Sequence, residues 1–342
     1  MKNIGVKLAL TYCGAIVGAG FATGQEVVQF FSVFKTSGVV GGVLATVMFI
    51  FFAYVILDIV FKNEVRDHND LITVVVGQKG ALFFDFAIMA FLFCGFTIML
   101  SAATTIVSTY LFPSKALSVG SFLILINVIF FKGVKGVIKV NSLLVPVLVL
   151  GVVLLCLRAI FTSVPAVNMG GLVPQNAYIA ATSYVSYNLI IGMVVLSSLK
   201  SELYNKKDIF VVSIVGGMTL GIMLLLLTFA TKDMPSYSQV PIIDLAYGLN
   251  QPLFYSLVLS LLIAILTSAI ATGHGIINRI TSLKNWNYSL IGIVLSIVAL
   301  PLSFIGFSEL VKAVYPFFGF VNFILMAALL LYFIKDKFVK IS

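Results

Sequence analysis

The chain has 342 residues, of which 61% are hydrophobic and only 10% are charged, with a mean hydropathy of +1.16. Soluble proteins carry about 25% charged residues, so this composition excludes a water-soluble enzyme, a nucleic-acid-binding protein and a disordered chain. The net charge is +9, but the basic residues lie in short gaps between apolar runs, which indicates membrane topology. The three cysteines lie inside apolar runs without metal or CxxC spacing, so we expect buried thiols.

Long apolar runs predict an all-α polytopic membrane protein with ten transmembrane helices. The length allows about ten or eleven spans at roughly 30 residues each. A β-barrel would need short alternating segments, whereas these runs are continuous. The first run lacks a small-residue cleavage site, so we interpret it as a spanning helix rather than a signal peptide. The runs cover about residues 5–34, 38–61, 79–111, 116–131, 140–161, 174–199, 208–231, 251–282, 287–304 and 309–334.

The basic residues also predict the topology. Sixteen lysines and arginines fall on one side of the predicted membrane and five on the other. This asymmetry places both termini in the cytoplasm of a bacterial cell, with the chain in its cytoplasmic (inner) membrane. Residues 1–162 and 163–342 each hold five predicted helices. Because five is odd, the second half would be inverted, which is typical of inverted-repeat secondary transporters.

The segment GAIVGAGFATGQE, residues 14–26, is unusual for a lipid-facing helix. It holds four glycines in eleven residues, followed by Gln25 and Glu26. Glycine lowers helix propensity by about 1 kcal/mol relative to alanine, so we expect the first helix to break here. A break frees carbonyls that can bind a cation and N–H groups that can bind an anionic group. The alternative is a small-xxx-small packing face formed by Gly14 and Gly18.

The sixth predicted helix carries a polar run from Thr182 to Asn188. Polar side chains at bilayer depth need hydrogen-bond partners or water. We therefore expect this helix also to be broken at the midplane and to line a substrate pocket, the alternative being a tyrosine-lined helix interface. In the pocket, N–H groups of the first helix would hold a solute carboxylate or another acceptor-rich group. The predicted substrate-binding residues are Gly18, Ala19, Gly20, Thr23, Gln25, Thr97, Tyr184, Ser186 and Asn188.

A cation site is predicted between the first and eighth helices. Ala264, Thr267 and Ser268 share one helical face and offer one carbonyl and two hydroxyls. The carbonyls of Gly14 and Val17 would add two oxygens where the inner half of the first helix ends. Uncharged oxygens suit a hard monovalent cation such as Na⁺. The alternative is that the hydroxyls bond back to the preceding helical turn.

The five-plus-five layout resembles the LeuT fold of the amino acid–polyamine–organocation transporters. The run GxxVGxG at 14–20 resembles the first-helix signature of the neurotransmitter:sodium symporters, and AxxTS at 264–268 resembles the eighth-helix half of their sodium site. The segment GAGFATGQEVVQFF also resembles the YkvI-like bacterial membrane proteins. The resemblance implies Na⁺ bound by Gly14, Val17, Ala264, Thr267 and Ser268.

Two residue patterns bear on this resemblance. Phe21 stands where the symporter pattern has an asparagine that serves a second sodium, which argues against that second site. Proton-coupled relatives use a lysine in the fifth helix instead of sodium. Residues 140–157 of this chain carry no charge, which favours a bound cation.

Glu26 is predicted to have a function because a carboxylate inside a membrane is costly. It could bind an amine, form part of an outer gate or carry a proton; alternatively, it could simply reach water from the outer half of the membrane. Residues 232–250 form the longest external connection, and the part from 234 to 250 suits either an external lid or a plain loop.

The sequence therefore predicts a Na⁺-coupled symporter of a small organic solute, most simply an amino acid or a derivative, that works by alternating access. One alternative is H⁺ coupling through Glu26, and another is a membrane sensor or receptor that transports nothing. We expect no enzyme activity, because the chain has no HExxH or GxSxG motif. We expect Na⁺ but no organic cofactor, and a monomer or weak dimer in the lipid bilayer.

Overall fold

The computed structural model describes residues 4–132 except 66 and 112, 150–160 except 159, and 176–339 except 235–237, 247 and 285. These residues form helices and connections without a strand, which confirms the all-α prediction. The helices are α1 (Ile4–Ile16), α2 (Ala19–Ala22), α3 (Gln25–Phe30), α4 (Thr36–Lys62), α5 (His68–Tyr110), α6 (Lys115–Lys132), α7 (Ala177–Ser198), α8 (Lys206–Thr231), α9 (Pro241–Leu245), α10 (Gln251–Lys284), α11 (Tyr288–Ala299) and α12 (Phe307–Val339).

Six helices in the described ranges, α4, α5, α7, α8, α10 and α12, are long and apolar enough to cross a membrane. Three shorter apolar helices, α1, α6 and α11, accompany them. The predicted span at 140–161 lies largely outside the described residues, although 150–158 are helical. The chain is thus a helical membrane protein. The arrangement of ten helices in two inverted halves, 1–162 and 163–342, and the cytoplasmic termini stay predictions.

The third spanning helix begins well before the residue predicted for it. The hydropathy pattern places its start near residue 79, but α5 begins at His68. Asp67 caps this end, because its side chain accepts a hydrogen bond from the backbone N–H of Asp70 at 2.9 Å. The helix then kinks at Gly77, whose φ of 75° suits glycine. A polar but well-capped first turn is therefore helical where hydropathy alone predicts a loop.

The predicted break in the sixth helix is wrong. α7 is continuous from Ala177 to Ser198 and passes through the whole polar run. Two of its polar side chains bond back within the helix: Thr182 Oγ1 donates to Tyr178 O at 2.8 Å, and Asn188 Nδ2 donates to Tyr184 O at 2.9 Å. Polar groups satisfied in this way need no break, and the run contains no glycine to favour one.

The helices pack in two groups. In one group, α4 packs against α7 and α8, and α1 packs against the same two helices. In the other group, α5 packs against α6 and α10, and α11 packs against α6 and α10. The helix α12 contacts α7 on one side and α5 on the other, so it lies between the groups. The short helix α2 contacts α10, so the first spanning segment passes from one group to the other.

Ion pairs join neighbouring helices of this fold. Lys62 at the end of α4 lies 2.6 Å from Asp58 Oδ2 and 2.8 Å from Asp336 Oδ2 of α12. Arg279 of α10 donates two hydrogen bonds to Asp85 Oδ2 of α5, at 2.7 and 3.1 Å. These pairs hold the end of α12 to the first group and tie α5 to α10 within the second.

Candidate functional site

The predicted break in the first helix is confirmed. α1 ends at Ile16, where the N–H of Gly18 turns back to Ile16 O at 2.7 Å. The next helix, α2, has only four residues, and a second interruption follows at Gly24, whose φ is 81°. α3 then begins at Gln25. Gly24 adopts a left-handed backbone conformation that residues with a side chain would adopt only with strain.

The carboxylate of Glu26 lies at the centre of this break. Its side chain is buried, with 6% of the residue exposed. The hydroxyl of Tyr187 on α7 donates to Glu26 Oε2 at 2.8 Å, and the hydroxyl of Tyr315 on α12 also interacts with the carboxylate. None of the ion pairs formed among the described residues includes Glu26. The site is therefore a buried carboxylate satisfied by tyrosine hydroxyls rather than by a cation.

Gly20 makes room for this carboxylate. A Cβ atom placed on Gly20 would overlap Glu26 Oε1 and lie 2.7 Å from its Cδ. The Glu26 carboxylate therefore lies directly against the backbone of α2. No other residue type fits at position 20 unless Glu26 moves.

The two tyrosines that interact with Glu26 belong to a cluster of aromatic rings. Tyr187 and Tyr315 stack with their ring centroids 4.7 Å apart and their planes at 17°. Tyr184 packs edge-on against Tyr187 at 5.5 Å, and Phe91 of α5 contacts both Tyr187 and Tyr315. These rings come from α7, α12 and α5, so they join both helix groups around the carboxylate.

Three of these residues, Phe91, Tyr187 and Tyr315, are absent from the predicted site. Tyr187 lies three positions after Tyr184, which was predicted, and residues three apart share a helix face. That spacing is a usable signal for Tyr187. Tyr315 lies on the last helix, and only tertiary packing brings it to Glu26.

Thr23 and Gln25 are buried in the break, but their side chains bond away from Glu26. Thr23 Oγ1 donates to Gly20 O at 2.9 Å, within α2 and the turn that follows it. Gln25 Nε2 donates to Ser308 Oγ of α12 at 2.7 Å. The Oε1 atom of Gln25 is buried without a hydrogen-bond partner among the described residues. The side chain of Ala19 lies outside the described part of the chain.

Three other predicted pocket residues use their polar groups in helix packing. Ser186 Oγ donates to Gly319 O at 2.8 Å and so holds α7 to α12. Asn188 donates to the backbone of Tyr184. Thr97 Oγ1 donates to the carbonyl four residues before it, at 3.0 Å. Tyr184, which was also predicted, is buried near Glu26 and belongs to the cluster of aromatic rings.

The broken first helix approaches α10 beside the residues of the predicted cation site. A Cβ on Gly18 would lie 3.7 Å from Ser268 Oγ of α10. Because the Gly18 N–H bonds to Ile16 O, it does not donate to Gly14 O as in a regular helix. Thr267 Oγ1 donates to Ala264 O at 2.9 Å, which is the bond back to the preceding helical turn that the alternative to a cation site predicts. That bond leaves the hydroxyl oxygen able to accept or to coordinate a cation.

The connection that is predicted to be external packs against the break. Its short helix α9 contacts α3, and the N–H of Ile242 donates to Thr23 O at 3.0 Å. Pro241 lies against Gly24, with 3.4 Å between Pro241 Cβ and the place of a Gly24 Cβ. This packing supports the interpretation of the segment as a lid over the site.

The fold and the broken first helix define a helical membrane protein with the LeuT fold. Among solved structures, the chain is similar to Mhp1, a nucleobase-cation-symport-1 family transporter, in a closed conformation with bromovinylhydantoin bound. The TM-score is 0.54 at 16% sequence identity, covering 90% of this chain and 74% of the Mhp1 chain. Similarity at this level of identity shows a shared fold, and function has to be argued from the site.

Two curated proteins of Bacillus subtilis (strain 168) are similar to the chain along nearly its whole length. YyaD is 26% identical over 338 residues, which cover 97% of this chain and 98% of YyaD. The membrane protein YkvI is 26% identical over 334 residues, which cover 96% of each chain. The expected resemblance to YkvI is therefore confirmed. No protein-family model matches the chain.

Proposed function

We propose that the chain is a secondary active transporter that carries a small organic solute across the membrane by alternating access. The observation that carries this proposal is the position of the broken first helix. α1 packs against α7 and α8 of one group, whereas α2 contacts α10 of the other group. Rocking of one group against the other would open the break first to one side of the membrane and then to the other. The fold shared with the transporter Mhp1 supports this proposal.

Uptake into proteoliposomes tests the transport proposal without a known substrate. The purified protein is reconstituted and incubated with a mixed pool of small metabolites, and the washed lumen is analysed by mass spectrometry. We expect at least one solute to accumulate above the level in protein-free liposomes. A solute that binds the protein but never enters the lumen would favour a sensor. If no solute binds and none enters, both the transporter and the sensor are contradicted.

Sodium coupling is the second part of the proposal. Gly14, Val17, Ala264, Thr267 and Ser268 would hold Na⁺. The close approach of Gly18 to Ser268 supports this set, because it brings the broken backbone and the α10 hydroxyls together. An ion held between the two groups would favour the conformation in which they meet, and so couple its binding to their movement.

The sodium site can be tested with a matched control on α10. The double substitution Thr267→Ala with Ser268→Ala should raise the Na⁺ concentration needed for half-maximal uptake by about tenfold or more, because it removes two of five oxygen ligands. Thr272 is a control, because its hydroxyl also donates back to helix carbonyls, at 2.9 and 3.1 Å. Thr272→Ala should leave Na⁺ dependence unchanged. Uptake that ignores Na⁺ in the parent protein would refute this coupling.

Proton coupling through Glu26 is the second candidate. A specific observation favours it: Glu26 is buried and has no basic partner among the described residues. It interacts with Tyr187 of α7 in one group and with Tyr315 of α12, which lies between the groups. A carboxylate in such a place can bind and release a proton as the groups move. Uptake driven by an inward pH gradient without Na⁺, and lost in Glu26→Gln, would support this mechanism over the sodium one.

A further inference from the structure

We propose that the site recognises an ammonium group of its solute through Glu26, and that the solute needs no carboxylate. This inference rests on the proposed function, because it assumes that the broken first helix holds the transported solute. It narrows the substrate class from amino acids in general to solutes that carry an amine. Three features of the break support it.

The first feature is the place that the Glu26 carboxylate occupies. The sequence assigns the N–H groups around Gly20 to a solute carboxylate, but Glu26 Oε1 lies where a Gly20 Cβ would be. A second carboxylate at α2 would lie beside the first in a buried site. Two carboxylates sharing a site repel unless one of them is protonated. The protein's own side chain thus fills the position expected for an anionic group.

The second feature is the length of the helices after the break. A half-helix attracts anions when many aligned peptide dipoles end at its N-terminus. Here α2 has four residues and α3 has six, with Gly24 in a left-handed conformation between them. Neither piece offers the long aligned dipole that would hold a solute carboxylate.

The third feature is the composition of the walls. Glu26 is buried without a cation among the described residues. The hydroxyls of Tyr187 and Tyr315 interact with it, and the rings of Tyr184 and Phe91 pack against those two tyrosines. Aromatic rings attract cations through their quadrupole, most strongly when the cation is desolvated. A buried carboxylate beside a cluster of aromatic rings is thus suited to bind an ammonium group. In this structure, the hydroxyls of Tyr187 and Tyr315 interact with the carboxylate where the ammonium group would bind.

The test separates the two charged groups of an amino acid. Isobutylamine is valine without its carboxylate and isovalerate is valine without its amine; histamine and imidazolepropionate stand in the same relation to histidine. Each compound is added to the purified full-length protein, and the apparent Tm is measured. We expect both amines and both amino acids to raise the Tm and both carboxylic acids to leave it unchanged. Stabilisation by the carboxylic acids, or no stabilisation by any amine, would overturn the inference.

Substitutions at Glu26 locate the effect. Glu26→Gln should weaken amine binding by about tenfold or more, because a charged hydrogen-bond partner is lost. Glu26→Asp keeps the charge and should retain part of the binding, which guards against a variant that merely misfolds. Equal amine affinity in Glu26→Gln and the parent protein would overturn the proposal.

Uptake of the same six compounds into proteoliposomes distinguishes this inference from the proposed function. Amine uptake supports both. Uptake of isovalerate or imidazolepropionate would leave the proposed transport function intact and overturn ammonium recognition. Amine binding without flux of any compound, including the metabolite pool, would support ammonium recognition and contradict transport.

Discussion

The hydroxyl of Tyr187 donates a hydrogen bond to Glu26 Oε2 at 2.8 Å, which joins the short helix α3 to the middle of α7. Both residues are buried, with 1% of Tyr187 and 6% of Glu26 exposed. In a low-dielectric interior such a bond is electrostatically strong, and an unpaired carboxylate is costly. Tyr187 is thus, together with Tyr315, a partner that makes a buried Glu26 tolerable.

Replacing Tyr187 with phenylalanine should destabilise the protein. Tyr187→Phe keeps the ring stacking on Tyr315 but removes the donor, leaving a buried acceptor without its partner. Such a loss costs about 1–3 kcal/mol. Thermal unfolding in detergent, followed through the apparent Tm, measures the effect.

Tyr184→Phe is the matched control, since Tyr184 lies one turn away on the same helix and is equally buried, at 1% exposed. Its hydroxyl lies near Asn188 but makes no aligned hydrogen bond among the described residues. Removing an unsatisfied hydroxyl is neutral or stabilising. If Tyr187→Phe and Tyr184→Phe lower the apparent Tm equally, the hydrogen bond from Tyr187 to Glu26 does not stabilise the protein measurably.

Gly20→Ala should disturb the site because the new methyl group overlaps the Glu26 carboxylate. Overpacking of this kind costs typically about 1–3 kcal/mol. Glu26→Ala in the same chain removes the obstacle, so the double variant should lose less stability than the two single losses added together. The apparent Tm values of the four proteins form a double-mutant cycle that measures this coupling.

The control for this cycle is Gly120→Ala on α6. A Cβ on Gly120 meets nothing within 4 Å among the described residues, and alanine favours a helix more than glycine does. Its Tm should therefore equal or exceed that of the parent protein. Additive losses for Gly20→Ala and Glu26→Ala would show that the two residues do not contact each other.

The sequence predicts the break in the first helix because the cause is local. Four glycines within residues 14–24 weaken a helix wherever it packs. The sixth helix carries a different kind of signal, in which polar side chains suggest a break. Thr182 and Asn188 instead bond to carbonyls of their own helix. Hydropathy cannot distinguish a broken helix from a continuous helix whose polar side chains bond to its own carbonyls, because the same residue types occur in both.

The partners of Glu26 depend on tertiary packing and so escape a sequence analysis. Tyr187 is 161 positions away along the chain. The rotation of α7 about its axis decides that Tyr187 faces the carboxylate while Ser186 faces Gly319. For the cation site, Gly18, the neighbour of the predicted ligand Val17, lies beside the predicted ligand Ser268. Binding of an ion there stays a prediction.

Lys62 and Lys200 form a matched pair for testing the ion pairs at the helix ends. Their side chains are similarly exposed, at 23% and 20%, but the partner Asp58 is 7% exposed and the partner Glu64 is 78% exposed. Lys62→Met leaves a buried carboxylate without its cation and should cost about 1–3 kcal/mol, less than for a fully buried pair. Lys200→Met should cost less than about 1 kcal/mol. A larger Tm loss for Lys200→Met would contradict this order.

Gly319→Ala should separate α7 from α12. A Cβ on Gly319 would overlap Ser183 Oγ and lie 2.8 Å from Ser183 O, and the same turn of α12 accepts the hydrogen bond from Ser186. Backbone cannot move aside as a side chain can, so we expect a loss of about 1–3 kcal/mol and a lower apparent Tm. Gly95→Ala on α5 is the control, because its Cβ would meet Thr272 at an ordinary 3.5 Å. If Gly319→Ala unfolds at the same temperature as Gly95→Ala, the contact between α7 and α12 is not close-packed here. In that case α12 could not hold Tyr315 against Glu26 through this contact.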